Sequence, residues 1–147
     1  MTLQDILRVK GSTVFTIAPT ATLGHVVQKL VQNRCGSLVI SDTSGGKPKM
    51  VGIITERDIL RACSDRRGSL DDLMVTEYMT HEKDLLTGTP ANSVEHIMGI
   101  MTDHRVRHLP VLEGDELVGI ISIGDVVKAQ HHQILMENHY LKSYIQS

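Results

Sequence analysis

The sequence is poor in cysteine: Cys35 and Cys63 are the only two among 147 residues. Neither has a second cysteine at the spacing of a zinc motif or a redox pair, so the sequence predicts no disulfide framework and no zinc site. Two isolated thiols suit a reducing compartment. We therefore predict a cytoplasmic protein.

The sequence also lacks an excess of charge of one sign. It has 15 Lys and Arg residues against 17 Asp and Glu residues, a formal net charge of -2. So small an imbalance creates no field that attracts a polyanion, and no basic run occurs, so nucleic-acid binding is not predicted. No apolar stretch approaches about 18 residues, and the N-terminus lacks a signal-peptide core. We accordingly predict no membrane association.

What the sequence does contain is an internal repeat. Hydrophobic residues make up 41% of the chain, enough for one compact core or two small repeats, and residues 14–58 recur with changes as residues 85–125. An offset of 71 relates matching positions of the two copies: Pro19 and Pro90, Leu23 and Val94, Arg34 and Arg105, Leu38 and Leu109. The offset falls to 67 within a turn, because residues 41–49 form a longer loop than residues 113–115.

Each copy is predicted to run strand, helix, strand, turn, strand, helix. The predicted strands are residues 14–17, 37–40 and 50–54 in the first copy, and 109–112 and 117–121 after the corresponding first strand in the second. Apolar residues spaced three and four apart from Leu23 to Leu30 indicate a helix that Thr20 or Thr22 caps. The second copy repeats this pattern from Val94 onward.

Neither copy has enough apolar surface to form a core alone. We therefore predict one α+β fold in which two three-stranded sheets, each with helices on one face, pack about a pseudo-two-fold axis. The predicted boundaries are residues 1–68 for the first repeat with its lead-in, 69–129 for the second repeat, and 130–147 for a C-terminal helical extension.

Both copies close their last strand with the pattern G-h-h-[ST]-x-x-D, where h is apolar. A hydroxyl and a carboxylate thus recur three residues apart, as Thr55 with Asp58 and Ser122 with Asp125. One interpretation is a capping box that stabilises the start of a helix. The other is a ligand site, because a strand-to-helix turn exposes free N–H groups suited to phosphate and the carboxylate can accept from adjacent ribose hydroxyls. The spacing alone leaves both open.

This motif, in a repeat that contains L-V-I or L-P-V, resembles the CBS domain, and residues 3 to 130 resemble a tandem pair of such domains, called a Bateman module. Residues 4–7 and 76–80 resemble the lead-in segments of the family repeats. The resemblance implies a module that binds an adenosine-containing ligand, namely AMP, ADP, ATP, NADH or S-adenosylmethionine. It implies no required cofactor.

The resemblance further implies two clefts, each combining the hydroxyl and acid of one repeat with strands of the other. The first cleft is assigned Thr55, Arg57, Asp58, Leu85, Leu86, Thr87, Val106, Arg107 and His108. The second is assigned Val14, Phe15, Thr16, Cys35, Gly36, Ser37, Ile121, Ser122 and Asp125. Phosphate is expected to prefer the first cleft because of its arginines and histidine. Alternatively, Arg107 and His108 form a solvated turn, and Cys35 is a small buried thiol.

Other signals predict neither a metal site nor catalysis. The sequence has 8 histidines, but His104 and His108 straddle a helix end and have no acidic or cysteine partner at a recognisable spacing. No complete P-loop, G-x-S-x-G or H-E-x-x-H pattern occurs. The histidine-rich tail from Asp125 to Gln146 is predicted to be a helix with a narrow apolar stripe that contacts the body of the protein or a second subunit.

These observations predict a non-enzymatic regulatory module that binds an adenine nucleotide, forms a homodimer and modulates an unknown partner protein. The alternative is a constitutive homodimeric scaffold with vestigial clefts, in which the C-terminal helix makes the functional contact. Nucleotide hydrolysis ranks third, because the hydroxyl and acid offer no positioned general base.

Overall fold

The structure is a computed structural model that describes residues 1–65 and 68–146. The chain divides into two compact units. The first-repeat unit comprises Thr13–Leu85, and the second-repeat unit comprises Met1–Ser12 together with the chain from Leu86 onward. Both units combine a small sheet with helices, which confirms the predicted α+β fold class.

The helices and strands alternate in the same order in both repeats. The helices are α1 (Leu3–Lys10), α2 (Leu23–Asn33), α3 (Glu56–Asp65), α4 (Val75–Tyr78), α5 (Val94–His104) and α6 (Ile123–Gln146). The strands are β1 (Thr16–Ile17), β2 (Ser37–Asp42), β3 (Lys49–Thr55), β4 (Thr80–His81), β5 (His108–Glu113) and β6 (Glu116–Ser122), and a 3₁₀ turn covers Glu82–Asp84. Among the described residues, no helix is both long and apolar enough to cross a membrane.

The two sheets differ in size, so the prediction of two three-stranded sheets is wrong. The first-repeat unit has four strands in the order β1-β2-β3-β4, and β5 and β6 form a two-stranded sheet in the second-repeat unit. The counterpart of β1 in the second copy makes a single parallel bridge from Gly88 to Val111. Glycine replaces the β-branched Ile17 there, and glycine favours an extended strand less.

The helix ends repeat at the predicted offset of 71. Thr22 caps α2 and Ser93 caps α5, and each hydroxyl accepts a hydrogen bond from the N–H three residues later, at 3.3 Å and 3.1 Å. Of the two predicted caps for α2, the structure thus uses Thr22. Both helices end in a left-handed arginine, Arg34 with φ 51° and Arg105 with φ 54°. The repeat therefore extends from sequence to backbone conformation.

The two lead-in segments are exchanged between the repeats. Leu3, Ile6 and Leu7 of α1 are buried in the core of the second-repeat unit, and α4 with Val75 is buried in the core of the first-repeat unit. The compact units therefore do not coincide with residues 1–68 and 69–129. The reason is apolar burial, because each lead-in helix buries apolar side chains in the core formed by the other repeat.

Candidate functional site

Each repeat has a turn at which its last strand passes directly into a helix. β3 ends at Thr55 where α3 begins at Glu56, and β6 ends at Ser122 where α6 begins at Ile123. We call residues 55–58 the Thr55 turn and residues 122–125 the Ser122 turn. Since no linker intervenes, the hydroxyl at the strand end and the carboxylate three residues later are brought within hydrogen-bond distance.

In the Thr55 turn the hydroxyl and the acid bind each other. Asp58 Oδ2 accepts from the Thr55 N–H at 2.9 Å and from the Thr55 hydroxyl at 3.1 Å, while the Asp58 N–H donates to Thr55 Oγ1 at 3.4 Å. Asp58 is 5% exposed, and in the described part of the chain it is the one charged residue that is buried. Asp58 Oδ1 pairs with the Arg61 guanidinium, which compensates this buried charge.

The Ser122 turn repeats the contact with a different cation. Asp125 Oδ2 accepts from the Ser122 N–H at 2.8 Å, and the Asp125 N–H donates to Ser122 Oγ at 3.1 Å. Lys10 Nζ, at the end of α1, donates to Asp125 Oδ2 at 2.6 Å and to the Ile120 carbonyl at 2.7 Å. Burial raises the pKa of Asp125, but the hydrogen bonds from Lys10 and Ser122 outweigh it and hold the pKa below its ordinary value.

The reciprocal contacts of a capping box are thus present in both turns, where they engage the N–H groups of Asp58 and Asp125. A further N–H group at each helix start donates to a backbone carbonyl outside the turn. The Glu56 N–H donates to the Gly36 carbonyl at 3.1 Å, and the Ile123 N–H donates to the Arg107 carbonyl at 2.8 Å. The turns therefore offer fewer free N–H groups than we predicted. A phosphate at either turn has to be held largely by basic side chains.

Within each unit, the strand that pairs with the last strand of the repeat begins beside the turn. Ser37 is opposite Thr55 in the β2–β3 ladder, and His108 is opposite Ser122 in the β5–β6 ladder. Phe15 lies next to β2, where its carbonyl accepts from the Val39 N–H at 3.0 Å.

The structure groups the predicted site residues by repeat. The first-repeat unit holds Val14, Phe15, Thr16, Cys35, Gly36, Ser37, Thr55, Arg57, Asp58 and Leu85. The second-repeat unit holds Leu86, Thr87, Val106, Arg107, His108, Ile121, Ser122 and Asp125. Within a unit, each turn is accompanied by strand residues of its own repeat. The assignment of strand residues from the other repeat to each turn stays a prediction.

Cys35, beside the Thr55 turn, packs against the core of the first-repeat unit. Burial raises the pKa of its thiol, which therefore stays protonated near neutral pH. This environment favours the interpretation of Cys35 as a small packing residue. Within the described residues, no group of three or more His, Cys, Asp or Glu side chains is placed to hold a metal ion.

Sequence reasoning missed the two cations that pair with the motif acids. Arg61 follows Asp58 by three residues on α3, a spacing that places two side chains on one helix face, so it could have been found. Lys10 is 115 residues from Asp125, and no local pattern links them. The exchange of the lead-in helices brings Lys10 to the Ser122 turn.

Replacement of Lys10 by methionine is expected to lower the free energy of unfolding at pH 7 by about 1 kcal/mol, since the pair is partly exposed. The pKa of Asp125 is lowered in the folded protein. The stabilisation that the Lys10–Asp125 ion pair gives the folded protein is therefore complete above the ordinary pKa of 3.8, and it is lost as the pH falls through the lowered pKa. Urea unfolding at pH 7 and near pH 3 measures this. The difference in the free energy of unfolding between Lys10→Met and wild type should be smaller near pH 3 than at pH 7.

Lys47→Met is the matched control, because Lys47 is exposed in the loop between β2 and β3. It should leave the free energy of unfolding unchanged at both pH values. A Lys10→Met effect that is equally large at both pH values would mean that packing of the lysine stem, and not the ion pair, is responsible.

Comparison with known proteins identifies the repeat. A family model described as the CBS domain matches residues 3–65 and again residues 75–132. The chain belongs to the CBS domain family. The double match confirms the predicted tandem CBS pair.

Individual CBS proteins are similar to this chain over most of its length. A mitochondrial CBS domain-containing protein of Arabidopsis thaliana is 36% identical over 99% of this chain and 72% of its own length. The crystal structure of a CBS-domain protein from Agrobacterium tumefaciens has a TM-score of 0.80 at 35% identity, covering 88% of this chain and 99% of that one. The compartment in the plant protein's name applies to that protein, so a cytoplasmic location for this chain stays a prediction.

One similar CBS structure contains a nucleotide. A CBS domain protein from Pyrobaculum aerophilum, complexed with AMP, has a TM-score of 0.72 at 28% identity, covering 85% of this chain and 89% of that one. Nucleotide binding by a CBS protein of this fold is therefore known from that structure.

Proposed function

We propose that this protein is a non-enzymatic regulatory module that binds an adenine nucleotide at the turns of its CBS repeats. The observation that carries this proposal is the buried carboxylate of Asp58 at a strand-to-helix junction, where the half-buried Asp125 makes the corresponding contacts in the second repeat. A helix cap needs no buried acid, and burying a charge is costly unless it is paired. The likeness to the AMP-complexed protein from Pyrobaculum aerophilum supports the same ligand class.

In the Thr55 turn, Asp58 has an oxygen that a ribose can reach. Thr55 occupies Oδ2 with two hydrogen bonds, whereas Oδ1 pairs with Arg61, whose side chain is 64% exposed. Because the Arg61 side chain is exposed, it can turn away when ribose hydroxyls take over its hydrogen bond to this buried carboxylate. Asp58 Oδ1 then accepts from the ribose hydroxyls. The exposed guanidinium groups of Arg57 and Arg61 supply positive charge for the phosphate.

The two turns are not equivalent in this proposal. Lys10 donates short hydrogen bonds to Asp125 Oδ2 and to the Ile120 carbonyl, so this lysine competes with a ribose for the carboxylate of Asp125. We therefore assign the tighter site to the Thr55 turn, where Arg57 and Arg61 are exposed. The ligand is one of AMP, ADP, ATP, NADH or S-adenosylmethionine.

The hydrogen bonds within the Thr55 turn favour a regulatory role over catalysis. The Thr55 hydroxyl donates to Asp58 and accepts from its N–H, so it is engaged in the helix cap and is not poised as a nucleophile. We propose that binding changes the affinity of the module for a partner protein. The competing proposal is a homodimeric scaffold with vestigial sites, and it is favoured by the hydrogen bonds that the hydroxyl and acid of each capping box make with each other.

A thermal-shift series with AMP, ATP, NADH and S-adenosylmethionine separates the regulatory module from the scaffold. A ligand present at about 100 times its dissociation constant stabilises the folded protein by about 2.7 kcal/mol, which raises Tm by several degrees. We expect at least one of the four to produce this rise and guanosine monophosphate to produce none. An unchanged Tm with all four would support the scaffold.

A further inference from the structure

The cation at the Ser122 turn does not come from the repeated motif. In the first repeat, Arg61 lies three residues after Asp58 on α3 and pairs with it. Lys128 has the same place three residues after Asp125 on α6 and is exposed, but Asp125 pairs with Lys10. A lysine from the lead-in helix α1 therefore takes the role that Arg61 has in the first repeat.

The lysine at the end of α1 has no counterpart in the other lead-in segment. Leu7 and Met79 correspond to each other, because each lies against the glycine that opens one of the two motifs. Three residues after them come Lys10, which ends α1, and the exposed Glu82, which lies beyond the end of α4. The cation is thus particular to the Ser122 turn, and any role in ligand binding is particular to that turn as well.

The Lys10 ammonium is held at the turn by one side chain and one backbone group. An ammonium has three donors, and Lys10 uses two of them for Asp125 Oδ2 at 2.6 Å and for the Ile120 carbonyl at 2.7 Å. The Lys10 side chain is 33% exposed, so the ammonium is accessible from solvent. The Ile120 carbonyl can keep the ammonium at the turn when a ribose hydroxyl takes the carboxylate of Asp125.

The charge of the ligand decides what this exchange costs. Neutral adenosine competes with Lys10 for Asp125 and offers the ammonium no anion in return. A nucleotide also brings a phosphate, whose oxygens accept charge-assisted hydrogen bonds from the released ammonium. Gly124 stands where the Thr55 turn has Arg57, so the Ser122 turn itself supplies no basic side chain for a phosphate.

We propose that Lys10 determines the ligand of the Ser122 turn, by competing with neutral adenosine for Asp125 and by binding the phosphate of a nucleotide. A nucleotide replaces the ion pair that it breaks, whereas adenosine does not. The Ser122 turn therefore distinguishes a nucleotide from its dephosphorylated nucleoside. This inference rests on the proposed function, because it concerns the weaker of the two proposed nucleotide sites.

Calorimetric titration with AMP and with adenosine tests this role in an Asp58→Ala background, which leaves the Ser122 turn as the intact proposed site. AMP should bind to this protein at least about tenfold more tightly than adenosine. Adding Lys10→Met should reduce the ratio of the two affinities to about twofold, chiefly because adenosine binds more tightly once Asp125 is released. Lys10→Arg keeps the positive charge and should retain the preference for AMP.

Lys128→Met is the matched control, because Lys128 is an exposed lysine of the same helix and lies three residues after Asp125. It should leave the ratio of the two affinities unchanged. An unchanged ratio in Lys10→Met would overturn the inference, and so would an equal loss of affinity for both ligands, which indicates a purely structural role. An equal fall of the ratio in Lys128→Met would overturn it too, since surface charge would then suffice.

The wild-type protein separates this inference from the proposed function. If wild type binds AMP and Asp58→Ala binds neither ligand, the Ser122 turn is not a site. That result would overturn the role of Lys10 and leave the nucleotide site at the Thr55 turn standing. If wild type itself binds no adenosine-containing ligand, the proposed function is wrong, and the role of Lys10 in ligand binding is wrong with it.

Discussion

Replacement of Asp58 by alanine is expected to weaken AMP binding at least tenfold while the protein still folds. Asp58 Oδ1 is the proposed acceptor for the ribose hydroxyls, and its loss removes a charge-assisted hydrogen bond. The substitution also removes the contacts with Thr55 and Arg61, so the free energy of unfolding should fall by about 1–2 kcal/mol. Isothermal titration calorimetry measures the affinity, and urea unfolding measures the stability.

Asp72→Ala provides the matched control for this variant. Asp72 accepts from the Ser69 hydroxyl at 3.1 Å, so it shares the Ser/Thr-x-x-Asp spacing but lies exposed and away from any strand end. AMP affinity should be unchanged in Asp72→Ala. If Asp58→Ala also binds AMP with wild-type affinity, Asp58 serves the helix cap alone.

Gly52→Ala is expected to destabilise the first-repeat unit by about 2–3 kcal/mol. A Cβ at this position would lie 2.6 Å from the Thr80 carbonyl oxygen and 2.8 Å from Met79 Sδ, and the carbonyl belongs to the strand paired with β3. Gly119→Ala should lower the free energy of unfolding by less than Gly52→Ala. Its Cβ would meet the Leu7 side chain at 2.6 Å, and a side chain can shift more easily than backbone. Thermal and urea unfolding report both changes.

Gly99→Ala is the control for the glycine variants. Gly99 lies within α5, and nothing stands within 4 Å of the position that a Cβ would occupy. Alanine is more favourable than glycine within a helix by about 1 kcal/mol, so the free energy of unfolding of Gly99→Ala should be higher than that of wild type. If Gly52→Ala were as stable as wild type, the glycine that opens the repeated motif would not be needed for close packing of the lead-in segment.

Much of the fold follows from local patterns in the sequence. The offset of 71 predicted matching helices, and the structure matches them down to the left-handed Arg34 and Arg105. The unequal sheets and the exchanged lead-ins could not be predicted, because they depend on contacts between distant segments. Burial of Leu3 against the second repeat has no signal in the sequence around Leu3.

The part of the candidate site that depends on local sequence was likewise predictable, whereas the part that depends on distant segments was not. The motif identified Thr55 with Asp58 and Ser122 with Asp125, and the structure places each pair within hydrogen-bond distance. Neither the use of the first helical N–H groups by the Gly36 and Arg107 carbonyls nor the contact of Lys10 with Asp125 could be predicted. Both arise because tertiary packing brings polar groups of other segments to the helix start.

Equilibrium dialysis of the wild-type protein against labelled AMP tests the central claim most directly, because it measures both affinity and stoichiometry. The proposed function predicts saturable binding, with one tight site per chain at the Thr55 turn and a weaker one at the Ser122 turn, where Lys10 competes. Adenosine ligands that differ in phosphate number can then be ranked by competition. The absence of saturable binding of AMP, and of competition by ATP, NADH or S-adenosylmethionine, up to about 1 mM would contradict the account.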